Sequence, residues 1–212
     1  NDINFTDGIN VSKSNFLLDG NGYSIDGNGK ARIFNITGNN VTLKNLIIKN
    51  ALNGAVSFVQ PNAEYYLDNV TIQNSSSKYD SGGIELNATN LVVNNSKFIS
   101  NTGTKSSDIF FNEKCNVTVV NSTFEGGIES KWSHIYFSGG ALIVDGSTFA
   151  NSRSSYANAI YGEDGRVTVR NTKFRNLTVL NSAGAIGVKY AVNLTVEDCE
   201  FTNITSGKDG GV

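Results

Sequence analysis

The chain has 212 residues, with 17 lysines and arginines against 19 aspartates and glutamates and a formal net charge of −2. No basic stripe is present, which argues against a nucleic-acid-binding protein. The longest apolar runs, such as residues 46–48, are far too short to span a bilayer, so we expect no membrane contact by this part of the protein. The 30 asparagines and 22 glycines are typical of a chain with many tight turns.

The N-terminal segment, 1–30, contains short apolar stretches separated by Asp-Gly-Asn-Gly runs. Three short strands are predicted, at residues 9–11, 16–18 and 23–25. They do not fit the spacing of the later repeats, so we predict an irregular first coil over residues 1–30. The runs at 19–22 and 26–29 carry carboxylates, but a calcium loop needs a third oxygen ligand where Tyr23 or Lys30 stands. We interpret both runs as turns and expect no metal site there.

From residue 31 onwards, an eight-residue unit recurs with a period of about 25, with clear copies at 117–124 and 167–174. Its last residue, here called the anchor, is always large and apolar. The anchors are Ile48, Ile72, Phe98, Phe124, Phe149, Phe174 and Phe201, with spacings of 24, 26, 26, 25, 25 and 27. The positions five and seven residues before each anchor are also apolar. The position three before it is Asn, Gly or Asp, types that tolerate a left-handed turn. Each unit therefore predicts a strand, a turn and a strand.

A second strand is predicted upstream of each anchor. The centre of each of these strands lies 14 to 16 residues before its anchor. The central residues are Ile33, Val56, Ile84, Ile109, Ile135, Ile160 and Ile186. At the C-terminus, residues 209–212 begin the same pattern, so we expect the parent chain to continue into another coil. Regular coils are thus predicted over residues 31–212, cut within the repeat array.

Stacked repeats of this length indicate a solenoid. We predict an all-β protein whose residues 1–212 form one right-handed parallel β-helix of the pectate-lyase type, with seven to eight coils and a period of about 25. Leucine-rich repeats and propeller blades have other spacings. In a β-helix, each position of the repeat becomes a column of side chains about 4.8 Å apart.

Alternation along the second strand places Ile109 and Phe111 inward and Phe110 outward. The same rule turns Tyr136 and Tyr161 outward on the next two coils, which predicts an exposed aromatic ladder. On the other coils this column is expected to hold Phe34, Ser57, Glu85 and Gly187. Exposed aromatic rings stack on sugars or anchor a protein partner, so we predict Phe110, Tyr136, Tyr161 and the adjacent Glu85 as ligand-binding residues. Alternatively, the rings only stabilise the sheet through cross-strand contacts or lie beneath a loop.

The sequence offers little for catalysis. A polysaccharide hydrolase needs two carboxylates facing each other across the scissile bond. The adjacent acidic pairs, Glu163-Asp164 and Glu197-Asp198, are interpreted as solvated residues in or beside turns. The single histidine, His134, precedes a strand and has no second His or Cys nearby in sequence, so it cannot build a metal site alone. We therefore predict a protein that is not an enzyme and that has no cofactor and no metal.

Three short motifs carry a family resemblance: Ala-Gly-Ala-Ile at 183–186, Asn-Leu-Thr-Val at 193–196 and Phe-Thr-Asn at 201–203. They resemble the repeats of adhesin-like surface proteins of methanogenic archaea and are similar to repeats of chlamydial polymorphic outer-membrane proteins. The resemblance covers residues 31–212. It implies an extracellular, cell-surface protein whose β-helix projects from the cell and mediates attachment, without catalytic residues.

The resemblance also implies the partners, which would be surface glycans or proteins of another cell, bound by a monomeric segment. Two other functions stay open from the sequence. A passive structural stalk or spacer would bind no surface selectively. A polysaccharide lyase or hydrolase would release shorter sugars and would carry clustered acidic residues in a cleft.

Overall fold

The computed structural model describes residues 3–4, 7–112, 114–130, 133–156, 159–181, 184–190 and 193–207, and of residues 3–4 and 128–130 only the backbone. The regular elements of this part of the chain are all β-strands, and no helix in it is long and apolar enough to cross a membrane. Residues 209–212, which carry the prediction of a further coil, lie outside the described residues.

Twenty-four strands make up the described part of the fold. In chain order they are β1 (Ile3–Asn4), β2 (Ile9–Val11), β3 (Phe16–Asp19), β4 (Ser24–Asp26), β5 (Phe34–Ile36), β6 (Val41–Lys49), β7 (Val56–Phe58), β8 (Glu64–Gln73), β9 (Ile84–Leu86), β10 (Asn90–Asn94), β11 (Lys97–Ile99), β12 (Ser106–Asn112), β13 (Asn116–Val120), β14 (Thr123–Glu125), β15 (Ile128–Ser130), β16 (Ser133–Ser138), β17 (Ala141–Asp145), β18 (Thr148–Ser154), β19 (Ile160–Glu163), β20 (Arg166–Arg170), β21 (Lys173–Val179), β22 (Ile186–Lys189), β23 (Asn193–Glu197) and β24 (Glu200–Ser206).

The strands stack in parallel, one coil above the next. Each residue pairs with its equivalent one repeat further along the chain, as Val41 does with Tyr65 and Arg166 with Asn193. One sheet contains eight strands in the order β2-β5-β7-β9-β12-β16-β19-β22. The other contains 16 strands. It combines the strands before the turn of each coil with those after it, because β6 and β8 continue through this turn as single strands. The predicted parallel β-solenoid of about seven turns is confirmed.

The anchors fill the interior. Those fully buried, at 0% exposure, are Ile48, Ile72, Phe98, Phe124, Phe149 and Phe174. Consecutive phenylalanine anchors, including Phe201 of the last coil, stack with ring centroids 4.6–5.3 Å apart. This distance is close to the strand spacing of about 4.8 Å, so one ring per coil stacks without distorting the sheet. Each buried ring contributes about 1.5–3 kcal/mol through the hydrophobic effect.

The predicted turn column adopts left-handed backbone throughout. Its members, with φ between 48° and 60°, are Asn45, Asn69, Asn95, Asn121, Gly146, Asn171 and Asp198. Asparagine tolerates this conformation and also binds its neighbour, as the Asn69 amide donates to Asn45 Oδ1 at 2.9 Å. A second left-handed column, two residues after each anchor, was not predicted. It contains Asn50, Asn74, Ser100, Gly126, Asn151, Asn176 and Asn203, with φ between 52° and 76°.

The first coil is more regular than the sequence indicated. Phe16 pairs with Val41 and Ile25 with Ile48, so β3 and β4 continue the stacks of the second coil. The turn between β3 and β4 is two residues longer than the equivalent turn of β6, which hid the repeat. Asp19 Oδ1 accepts the backbone N–H of Asn21 at 3.1 Å, and Asp26 does the same for Asn28 at 2.9 Å. The prediction that both Asp-Gly-Asn-Gly runs form turns is confirmed.

Candidate functional site

The predicted aromatic ladder lies in register on the eight-stranded sheet. Phe110 of β12 pairs with Tyr136 of β16, which pairs with Tyr161 of β19. The ring centroids are 5.6 Å and 5.7 Å apart, with interplanar angles of 16° and 29°. Glu85 of β9 pairs with Phe110 on the other side. The four predicted residues therefore form one column over four consecutive coils, here called the ladder.

The prediction that the ladder is exposed is wrong for two of its rings. Phe110 is only 8% exposed and Tyr161 only 9%, whereas Tyr136 is half-buried. The Lys105 ammonium lies 4.2 Å from the centre of the Phe110 ring and is held there by Asp80 at 2.6 Å. The Tyr136 ring stacks on both Phe110 and Tyr161 and so covers one face of each of these rings. The alternative interpretation, cross-strand stabilisation of the sheet, therefore describes Phe110 and Tyr161 better than ligand contact.

The register of the ladder also differs from the prediction in the second coil. Phe34, not Ile33, pairs with Val56, so Phe34 faces the core and is 1% exposed. Asn35 takes the outward position beside Ser57. A shift of one residue along a strand exchanges its inward and outward sides, and the sequence contains two adjacent apolar residues here.

Charged groups around the ladder are paired. The Tyr136 hydroxyl donates to Glu163 Oε2 at 3.1 Å, and Glu163 lies 4.0 Å from the Lys189 ammonium. Burial and the Glu163 carboxylate raise the pKa of Tyr136 far above its ordinary value, and the same two causes raise the pKa of Tyr161. Glu85 binds the Arg32 guanidinium at 3.1 Å. The ladder is thus a neutral surface at physiological pH, bordered by compensated ion pairs.

A polar cleft lies beside the ladder, where β9, β12 and β16 end. It has a volume of about 390 Å³ and is lined by Asn87, Ala88, Asn112, Lys114 and Ser138. Ser138 follows Tyr136 by two residues on β16, so both point to the same side of the sheet. The Asn112 amide donates to Asn87 Oδ1 at 3.1 Å and ties two walls of the cleft together. No pattern in the sequence indicates this cleft, because residues at the ends of three strands form it.

A buried polar network crosses the interior at another corner of the coil. His134 Nδ1 contacts Asp108 Oδ2, and His134 Nε2 lies 2.9 Å from Ser152 Oγ. Asn101 Nδ2 donates to Asp108 Oδ1 at 2.9 Å. Asp108, His134 and Ser152 are 1%, 2% and 5% exposed. The interpretation of His134 as a residue outside the strand is wrong, since it lies inside β16 and contacts side chains from two other strands.

The order Ser152, His134, Asp108 is that of a nucleophilic triad, but burial prevents a substrate from reaching the serine. The Phe124 and Phe149 rings lie 6.0 Å from the imidazole. The arrangement instead satisfies polar groups inside the core and joins successive coils. The described residues contain no group of three or more His, Cys, Asp or Glu side chains that could hold a metal ion.

No family model and no curated protein sequence matches the chain. Among solved structures, L. reuteri 53608 SRRP, a serine-rich adhesin repeat protein, is similar over its length. The TM-score is 0.51, and the similarity covers 98% of this chain and 93% of that one. The two sequences are 12% identical, so this similarity shows a shared β-solenoid fold alone.

Proposed function

We propose that the chain is a non-catalytic segment of an extracellular cell-surface adhesin, and that its ladder face binds a surface glycan or protein of a partner cell. The observation that carries the proposal is Tyr136, a half-buried ring held flat between Phe110 and Tyr161. The resemblance to adhesin-like repeats of methanogenic archaea supports the surface location. So does the fold shared with a serine-rich adhesin repeat protein.

Rigidity of the ladder favours binding. A ring already fixed by its neighbours loses little conformational freedom when a ligand docks on it. Phe110 and Tyr161 stack on the two faces of Tyr136, so a sugar would contact its exposed edge, while Asn112 and Ser138 supply polar atoms nearby. The inaccessible Ser152 and the ion-paired Glu85 and Glu163 support the non-catalytic part of the proposal.

A passive spacer is the second candidate. It is favoured by the burial of Phe110 and Tyr161 and by the pairing of the charges around them. Such a surface has few unsatisfied groups, so its stacking could serve stability alone.

The test compares two tyrosines in similar settings on different sheets. Tyr66, on β8 of the 16-stranded sheet, also donates its hydroxyl to a carboxylate, Glu64 Oε2, at 2.9 Å. The purified protein, Tyr136→Ala and Tyr66→Ala are incubated with a panel of polysaccharides and microbial cells, after thermal melting has shown that the variants are folded. We expect selective binding that Tyr136→Ala weakens at least about tenfold, equivalent to about 1.4 kcal/mol.

Tyr66→Ala is expected to bind like the wild type. Equal losses in the two variants would place the contact outside the ladder. If the wild type binds nothing selectively, the spacer function is favoured instead.

A further inference from the structure

We propose that the cleft beside the ladder binds the acid group of a sugar, so that the ligand is an acidic glycan bearing carboxylates. This inference rests on the proposed function and names the class of ligand for the same face. The carboxylate would lie among Asn112, Lys114 and Ser138, while the sugar ring contacts Tyr136. Tyr136 and Ser138 are about 6.6 Å apart along the strand, a distance that one sugar ring spans.

Hydrogen bonding inside the cleft leaves donors available. Asn87 Oδ1 accepts from the Asn112 amide at 3.1 Å, and Asn112 Oδ1 accepts the backbone N–H of Ala88 at 3.4 Å. Both amide oxygens are therefore engaged. The groups that remain are the amide N–H groups of Asn87, the second amide N–H of Asn112, the Ser138 hydroxyl and the Lys114 ammonium.

The described lining of the cleft carries positive charge. Lys114 is exposed and makes no ion pair with the described residues, in contrast to Lys105 and Lys189 beside the ladder. Glu163, which pairs with Ser138 on the neighbouring strand, is occupied by the Tyr136 hydroxyl and by Lys189. Within the described part of the chain, Lys114 thus faces the cleft as an uncompensated charge.

A cleft lined by hydrogen-bond donors and a positive charge favours a ligand group that accepts hydrogen bonds and is negatively charged. A carboxylate accepts up to about four hydrogen bonds, and such charge-assisted bonds are roughly twice as strong as neutral ones. A neutral sugar hydroxyl also accepts, but it does not compensate the ammonium. The cleft therefore discriminates between a sugar with a carboxylate at C6 and the same sugar with a hydroxyl there.

The test uses three probes that differ only at C6: methyl glucoside, methyl glucuronoside and the 6-sulfate of methyl glucoside. Binding to the full chain is measured by NMR titration at millimolar sugar and repeated at high salt. We expect the glucuronoside to bind at least about tenfold tighter than the glucoside, with an affinity that falls as salt rises. Lys114→Gln should remove this difference by lowering the affinity for the glucuronoside.

Lys97→Gln is the matched control. Lys97 is also exposed and has no ion pair among the described residues, but it lies on β11 of the other sheet. This variant should keep the preference for glucuronoside, and a loss equal to that of Lys114→Gln would overturn the assignment of the cleft.

The remaining outcomes separate the inference from the proposed function. Equal binding of glucoside and glucuronoside, both weakened by Tyr136→Ala, would overturn the acid preference and keep the adhesin. Tighter binding of the sulfate would overturn the carboxylate assignment. If none of the probes binds while cells are still bound through Tyr136, the cleft is not the site. Absence of binding to probes, polysaccharides and cells alike would overturn both proposals.

Discussion

In the described part of the chain, two aromatic stacks extend over three or more coils, one inside the solenoid and one outside. The inner stack of anchors, from Phe98 to Phe201, has centroids 4.6–5.3 Å apart and planes within 9° of parallel. The ladder outside has centroids 5.6–5.7 Å apart and planes tilted by 16° and 29°. Both stacks follow from the same strand spacing, but only the inner rings are enclosed by the core. Stacking in register is thus a property of the fold, while the tilt between successive rings is smaller in the core than in the ladder.

The largest expected effect is on the inner stack. Phe174→Ala removes a ring that is 0% exposed and lies between Phe149 and Phe201, so it should cost about 3–5 kcal/mol of unfolding free energy. Urea denaturation measures this loss, with Phe174→Leu as a control that keeps much of the buried volume and loses less. Tyr136→Ala in the ladder should cost only about 1–2 kcal/mol. Equal costs for Phe174→Ala and Tyr136→Ala would remove the energetic distinction between the stacks.

A second effect is expected in the polar part of the interior. Asp108→Ala leaves Asn101 and His134 without their buried partner, and an unsatisfied buried group costs about 1–3 kcal/mol. The control is Asp80→Ala, which breaks the partly exposed ion pair with Lys105 and should cost less than about 1 kcal/mol. Both are measured by urea denaturation at neutral pH. A loss no larger than that of Asp80→Ala would show that the network does not stabilise the core.

A smaller loss of stability is expected in the turn column, the left-handed position three residues before each anchor. Asn171 has a φ of 51° and donates to Asp145 Oδ1 at 2.8 Å. Asn171→Ala should cost about 1–2 kcal/mol, because alanine disfavours left-handed backbone. Asn171→Gly keeps the backbone conformation accessible and isolates the lost hydrogen bond. The comparison of urea midpoints separates the two contributions, and a glycine variant as unstable as the alanine one would rule out backbone strain as the cause.

The smallest expected effect is a pH dependence at the same turn. The Asn171 amide, followed by Arg170, lowers the pKa of Asp145 below its ordinary value. A carboxyl whose folded pKa lies below the unfolded value of about 3.9 stabilises the fold above that pH, and the contribution is lost as pH falls through the folded pKa. Between about pH 5 and pH 3, Asn171→Ala should therefore lose less stability than the wild type. Parallel acid titrations monitored by circular dichroism would contradict this if their slopes coincide.

The anchors and the Asn column could be predicted because two strong physical constraints repeat with the coil. One side of each strand must be apolar, and a left-handed turn accepts few residue types. Register failed at Phe34, where an adjacent Ile33 satisfies the apolar pattern equally well. The regularity of the first coil could not be predicted, because its turn contains two additional residues that change the spacing without changing the stacking.

The buried network and the cleft were harder to predict. Asp108 and His134 align with positions that hold Ala or Gly on other coils, such as Ala55 and Ala159, and this substitution of polar for small residues is the signal that was available. Ser152 comes from a different column, so its contact with His134 depends on the cross-section of the coil. The cleft depends in the same way on how three strand ends are spaced.

The two asparagine columns have a mechanical consequence. Their side-chain hydrogen bonds, like those of the backbone, run from one coil to the next and therefore point along the solenoid axis. Tension between the two ends pulls on these bonds along their length, and a terminal coil, which contacts only one neighbour, is held by fewer bonds than an inner coil. Detachment of one coil frees about 25 residues, or about 85 Å of chain. Under such tension a stack of coils lengthens in discrete steps, and each step absorbs work.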